Sequence, residues 1–457
     1  MLKSSLLSLI SRKETTFLLI LLFVIVGTEI ADISMHKIYL FINSTQFPID
    51  WNILVFISVA IVYIVGQYFI LKYVRKASKD FRSIEKFHFS IIHKITMGIQ
   101  YALIGVLFVV TLQMITYSYY SIRLLITSIW ISYALAIFIL VFLAIRFFYW
   151  FRFNSNVVVL FYGLSTTFIA VSSGISLVLT TSLLIGQPID VHQIVGSVSP
   201  FVPDNIMQLQ YALVVTSILS FIVTWIATVL MLRHHSRRLG AIKYWVIVSI
   251  PLVYFLTQFQ PLFLYVFSYY GLTGSVSFGI IYTIIFSASK PVGGLLFAAA
   301  FWSMARRIRT RQLMDYMIIS AYGLALIFGS EQAITLASRS YPPFGLATIS
   351  FLGLSSYLML VGIYSSAISV SEDSKLRQTI RNFTIKESRL LDSIGTAQME
   401  RDIEKRVIAI AKRNQDVMAE ESGIISSLSE EDMKQYLEQV IAEVQKVNDD
   451  KDHDSNL

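Results

Sequence analysis

The chain is expected to fold as an all-α polytopic integral membrane bundle of about ten helices, followed by a small helical cytosolic C-terminal module. Three observations carry that expectation. Of the 457 residues, 55% are hydrophobic and only 14% charged, far more apolar than a soluble globular chain of this length. The apolar residues gather into long runs with neither the half-polar period of a soluble helix nor the alternation of a barrel strand. The connections between runs alternate, rich in Lys and Arg and then nearly free of them, as loops on the two sides of a membrane do.

Crossing roughly 30 Å of hydrocarbon takes about 20 apolar residues in α-helix. Runs of that kind lie near 17–36, 51–74, 97–119, 122–148, 156–185, 206–232, 244–269, 275–304, 313–337 and 344–370. Lys3, Arg12 and Lys13 ahead of the first run resemble the start of a signal peptide. The run continues through Glu29 and Asp32 without a small-residue cleavage pattern, so it is read as a helix. One set of connections carries Lys3, Arg12 and Lys13, then Lys72 to Lys94, Arg146 and Arg152, Arg233 to Lys243, and Arg306 to Arg311. The other set holds only Lys37, Arg123 and Arg339. Twenty cations against three place both termini in the cytoplasm of a multi-pass cell-membrane protein.

Two of the opposite-side loops are long. Residues 37–50 include an Asn43-Ser44-Thr45 glycosylation sequon, a motif frequent by chance. Residues 186–205 combine three prolines with Asp190, His192 and Asp204 and read as a plain connection rather than a ligand-binding loop. There is no cysteine, which excludes disulfides, thiol nucleophiles and thiolate metal sites.

After residue 370 the composition changes. Thirteen basic and nineteen acidic residues give the tail a net charge of −6, against +14 for the membrane part, so 1–370 and 371–448 read as separate units. Leu376, Ile380, Phe383, Leu390 and Ile394 recur at helical spacing. Gly395 is then expected to break that helix, and Thr396 to cap a second carrying Met399, Ile403, Val407 and Ile410. Ser429 and Asp432 resemble a capping box before a third stripe, Met433, Leu437, Val440, Ile441, Val444 and Val447. The polar end, 449–457, is expected to be disordered. Because no Gly or Pro lies between Gly362 and Gly395, the last membrane helix can continue into the tail as a rod roughly 75 Å long. The other expectation is a break near Ser369–Asp373, where Ser and Asp can cap a fresh helix.

Charged residues at membrane depth are the candidate site. Lys290 lies about 14 residues, or roughly 20 Å, from the inner end of its helix, where a lone ammonium costs several kcal/mol. Glu29 and Glu331 reach comparable heights, with Asp32 a turn nearer the outside, and a buried pair or triad would satisfy them together. Pro291 and Gly293-Gly294 are expected to loosen the helix beside an ion, proton or anionic-substrate site; an interhelical tie, or snorkelling of the acids outward, is the structural alternative. Asp315 reads as interfacial. Gln258 and Gln260 with Pro251 and Pro261, like Gln100 and Gln113, suit either a hydrated path or interhelical glue. Gly163, Gly174 and Ser172-Ser173 read as close-packing positions.

Enzymatic readings find little support. His36, His88, His93, His192, His234, His235 and His453 all map to loops, helix ends or tail, leaving no imidazole at depth for proteolysis, metal or haem. No Walker loop is visible, and neither a cofactor nor a metal is expected. Headgroup attraction and topology account for the basic loops without nucleic acid. A five-plus-five inverted repeat is permitted by ten helices but finds no counterpart for Pro251, Pro261 and Pro291 in the second and third.

The junction Tyr364-Ser365-Ser366-Ala367-Ile368-Ser369-Val370-Ser371-Glu372-Asp373-Ser374-Lys375-Leu376-Arg377, with Leu390-Leu391-Asp392-Ser393-Ile394-Gly395, resembles uncharacterised polytopic membrane proteins of ammonia-oxidising archaea. The resemblance covers the last helix and tail. It implies an archaeal cell membrane and no activity. The leading expectation is a non-enzymatic sensor or assembly protein, with 372–448 binding a protein partner or a second copy. The alternative is a secondary transporter of a small solute or ion using Lys290, Glu29, Asp32, Glu331, Gln258 and Gln260.

Overall fold

The computed structural model describes residues 2–41, 49–78, 86–185, 190–192, 204–233, 240–259, 276–306, 308, 310–331, 342–373 and 389–422. The helices are α1 (Leu2–Phe41), α2 (Ile49–Ser78), α3 (Lys86–Tyr117), α4 (Ile122–Phe153), α5 (Val157–Ile185), α6 (Asp204–Leu232) and α7 (Ala241–Thr257). They continue with α8 (Val276–Ser287), α9 (Ser289–Ala305), α10 (Arg311–Ser330), α11 (Leu346–Glu372) and α12 (Arg389–Ser422). Among the described residues nine helical stretches are long and apolar enough to cross a bilayer, α8 and α9 together making one of them. The expected run 244–269 is described only as far as Phe259, with α7 covering 17 residues. The molecule is an all-α polytopic membrane bundle.

The bundle is arranged around its last membrane helix. Every residue of α11 from Leu346 to Ile368 is buried. It packs against α10 and α4 over long stretches, and against α1, α2 and α3 more briefly. Small residues make that position tenable. A Cβ on Gly323 of α10 would stand 2.5 Å from the Met359 backbone nitrogen, and one on Gly362 of α11 would meet the Ser320 nitrogen at 2.5 Å. The two backbones therefore touch at glycine on both sides. The hydroxyls of Ser350, Ser355, Ser356 and Ser366 donate to carbonyls three or four residues back, so these serines fill a dry interior without orphaned protons. Outward faces are apolar instead, with Tyr101, Phe108, Phe138, Ile145, Ile242 and Val253 exposed, as lipid requires.

At the face poor in Lys and Arg, the loop expected to be a plain connection pairs with the α3–α4 turn. Tyr119–Ser121 (β1) and Asp190–His192 (β2) form an antiparallel ribbon in which Tyr119 opposes His192 and Ser121 opposes Asp190. Ser118, at φ 58°, makes the reversal out of α3. The flanking residues 186–189 and 193–203, and the sequon at Asn43, lie outside the described residues.

At the opposite, basic face the continuous rod is not formed. Residue Asp373 leaves α11 in an extended conformation, φ −101° and ψ 100°, so the break expected near Ser369–Asp373 is the one present. Helix α12 instead returns to pack on α11, with shorter contacts to α4 and α5. Leu390, Leu391, Ile394 and Ala397 are buried there, the Trp150 indole N–H donates to Gln398 at 3.2 Å, and the Asn156 amide donates to Ser393 at 2.6 Å. Gly395 corrects a second expectation. The helix runs through Gly395 and Thr396 unbroken, because the glycine serves a contact: a Cβ there would overlap the Val370 side chain. The positions Leu376, Ile380 and Phe383, the third stripe from Met433 and the end 449–457 lie outside the described residues.

Candidate functional site

Depth counting along the helices pairs the right residues in part. The Lys290 ammonium lies 3.3 Å from a Glu331 carboxylate oxygen, both side chains buried. The contact is an ion pair without hydrogen-bond alignment, since neither Glu331 oxygen has a well-directed donor among the described residues. Two breaks place it. Lys290 follows an interruption at Ala288 between α8 and α9, and Glu331 is the residue that ends α10. Pro291 explains the first: it has no N–H to offer the Ser287 carbonyl four residues back. Gly293-Gly294, expected to loosen this helix, stay helical and admit neighbours instead. A Cβ on Gly293 would strike the Phe221 ring, and one on Gly294 would sit 2.8 Å from the Ala325 carbonyl. Gln258, at the end of α7, accepts a hydrogen bond from Ser289 at 3.2 Å, next to Lys290. Gln260 lies outside the described residues.

The two acids of α1 do not join that pair as a triad. They meet two helix ends of opposite polarity. Asp32 closes the start of α11: its carboxylate accepts the Gly345 N–H at 2.9 Å, the Thr348 N–H at 3.2 Å and the Thr348 hydroxyl at 2.6 Å. Gly345, at φ 96°, occupies the N-cap and carries no side chain, so a cap normally made by the helix itself comes from α1. A carboxylate at a helix N-terminus, the end of positive partial charge, is favourably placed. Asp32 is therefore accounted for as a capping group.

Glu29, about one turn below Asp32 on α1, has the converse placement. Its carboxylate presses on Gly329, where a Cβ would overlap one oxygen, and its other oxygen accepts the Ser330 hydroxyl at 3.1 Å. Oε2 has no hydrogen-bond donor among the described residues. Gly329 and Ser330 are in the last turn of α10, and the C-terminal end of a helix carries about half a negative charge. The carboxyl group thus lies beside the C-terminal turn of α10 in a site only 2% exposed. A proton or a small cation bound at the Glu29 carboxylate would neutralise it there.

Above and below this cluster the surroundings differ. Toward the Lys/Arg-poor face, the hydroxyls of Ser34 on α1 and Thr283 and Ser287 on α8 are buried without hydrogen-bond partners among the described residues, and α8 packs along α1. Toward the basic face lie four rings: Phe221 stacks on Phe255 at 4.0 Å between centroids and meets Phe297 at 5.2 Å and Phe328 at 5.7 Å.

One histidine departs from its expected place, while most of the other polar and small residues make ties or packing contacts. His93, read as belonging to a solvated basic loop, lies half-buried with Nδ1 2.5 Å from the Tyr357 hydroxyl of the central helix. It is an imidazole inside the bundle. Its helix begins at Lys86, earlier than the apolar run at 97, and so carries His93 within it. Asp315 accepts the Tyr73 hydroxyl at 2.9 Å. Gln100 accepts the Tyr63 hydroxyl, and Gln113 the Ser121 N–H, both at 3.2 Å, as interhelical or loop ties. Gly163 packs 3.2 Å, by its absent Cβ, from Phe147, whereas Gly174 has open space and Ser172 and Ser173 are buried without partners among the described residues. Gln67, buried with no partner for either amide atom among the described residues, was not foreseen. No group of three or more His, Asp or Glu side chains suited to a metal ion occurs among the described residues.

The fold and this interior define a class, an all-α polytopic membrane protein with ionisable residues in its core. Comparison of the chain with protein-family models, curated proteins and solved structures finds no match.

Proposed function

We propose that the chain is a non-enzymatic secondary transporter that binds a proton or small monovalent cation at Glu29, with the Lys290–Glu331 pair beside it. One observation carries the reading: the Glu29 carboxylate is buried against the C-terminal turn of α10 with one oxygen lacking a donor. The other buried charges have partners, Asp32 at the start of α11 and Glu331 with Lys290. Among the described residues Glu29 meets only the Ser330 hydroxyl, with no opposite charge beside it. Broken helices whose carbonyl ends hold a coupling ion are how transporters build such sites. The orientation proposed is both termini cytoplasmic in a cell membrane, from the excess of Lys and Arg at one face, and the junction resemblance points to an archaeal one.

The test is ion and solute flux in proteoliposomes. Glu29→Gln should abolish cation- or proton-coupled flux while the purified protein keeps its fold, and removal of 389–457 should leave flux intact. Unchanged flux in Glu29→Gln would refute the reading.

The sensor or assembly reading keeps one observation in its favour. On α12, Ile403, Val407 and Ile410 are 44%, 38% and 60% exposed at helical spacing, beyond the part of the helix that the bundle covers. Recovery of a specific partner through 372–448, with no flux by the intact protein, would favour that reading instead. Leu390 and Ile394 of the apolar stripe are already buried on the protein's own bundle, which favours transport.

A further inference from the structure

The surroundings of Glu29 assign a direction to its access. We infer that Phe221, Phe255, Phe297 and Phe328 close the site toward the basic face, and that the cation enters from the Lys/Arg-poor face between α1 and α8, past Thr283 and Ser287. The inference rests on the cation-site reading above and adds its sidedness.

Polarity changes across one level of the bundle. Phe297 is two turns from Lys290 toward the basic face, and Phe328 immediately precedes the Gly329 on which Glu29 lies. Phe221 rests on Gly293, one turn from Lys290, and Phe255 stacks on Phe221. Rings contributed by α6, α7, α9 and α10 therefore meet just beneath the charges, and Phe297 and Phe328 are themselves 4.9 Å apart. All four are buried. Ring meets ring there, and the neighbouring hydroxyls of α6, on Ser220 and Thr224, donate to the Ser217 and Ser220 carbonyls, so the rings form an apolar barrier. On the other side the buried hydroxyls of Ser34, Thr283 and Ser287 lack protein partners among the described residues, and Pro291 leaves the Ser287 carbonyl without its helical donor. Buried polar groups are ordinarily satisfied, and a transient file of water or a partly dehydrated cation supplies what the protein omits.

The absence of cysteine makes the test direct. Single cysteines are introduced by Ser287→Cys, by Tyr117→Cys as a marker of the Lys/Arg-poor face and by Ile410→Cys as a marker of the basic face; the last two side chains are 66% and 60% exposed. Reconstituted protein is then treated from either side with a membrane-impermeant quaternary-ammonium methanethiosulfonate. The Ser287→Cys thiol should be modified from the side that modifies Tyr117→Cys and protected from the side that modifies Ile410→Cys. Adding Phe221→Ala, or separately Phe297→Ala, should abolish that protection. Modification from the basic side with the rings intact, or from neither side, would overturn the inference. So would one-sided access that both ring variants leave unchanged. Flux lost in Glu29→Gln alongside any of these results would leave the cation site standing and remove only its sidedness. One-sided labelling with normal flux in Glu29→Gln would do the reverse.

Discussion

Removal of one partner of the Lys290–Glu331 pair should cost far more than removal of both. The two charges meet at 3.3 Å with both side chains buried. At an effective dielectric of about 20, that separation corresponds to about 5 kcal/mol of gross attraction, offset by the desolvation of both ions. In Lys290→Met the attraction disappears while the Glu331 carboxylate stays behind, so the single variant should lose about 3–5 kcal/mol, limited by uptake of a proton on Glu331. In Lys290→Met with Glu331→Gln, attraction and desolvation vanish together, and the loss should fall to about 1 kcal/mol. The assay is reversible unfolding in bicelles for the parent, both single variants and the double. The expected coupling energy is about 3 kcal/mol, whereas single-variant losses that add to within about 0.5 kcal/mol would show that the two groups do not interact and would refute the placement of the pair.

Asp32→Ala should lower stability by about 2–3 kcal/mol in the same assay, because it strips the start of α11 of a charged cap; Asp32→Asn should recover part of that loss, and an unchanged midpoint in Asp32→Ala would contradict the capping role. Gly362→Leu places atoms against the Ser320 and Tyr316 backbones and should cost about 3 kcal/mol or prevent folding, read as loss of monodisperse protein; a stable Gly362→Leu would mean α10 and α11 do not cross there. Gly395→Leu should lift α12 from Val370 while leaving the bundle intact, seen as faster amide exchange across 389–400 and a red shift in Trp150 emission. Native exchange rates in that variant would deny the docking of α12 on the end of α11.

The class of fold was legible because bilayer thickness and backbone hydrogen bonding leave a long apolar run little choice but helix. Depth was legible for the same reason: a fixed rise per residue set Lys290, Glu29 and Glu331 at similar heights, and Lys290 and Glu331 do meet. Helical rise carries no information on which helices are neighbours. That is why Asp32 was grouped with Lys290 although it caps α11, whose glycine N-cap leaves its end to be served from elsewhere. The tail failed in a related way. Gly395 reads as a helix breaker from propensity alone, and only the neighbouring Val370 shows that a missing Cβ was needed for contact. The apolar stripe on α12 was visible, but an amphipathic pattern does not state what covers it, and here the protein's own α11 does so over the first turns. His93 was misplaced because its helix starts before the apolar run does.

The claim on which the functional account depends is that Glu29 exchanges its proton or a cation with the solution. Infrared difference spectroscopy of the protein in lipid, recorded on steps of pH and of sodium or potassium concentration, measures this directly through the carboxyl bands. The account predicts a carboxyl response that is lost in Glu29→Gln and retained in Asp32→Asn. A spectrum unmoved by either step, or a response that persists in Glu29→Gln, would contradict it.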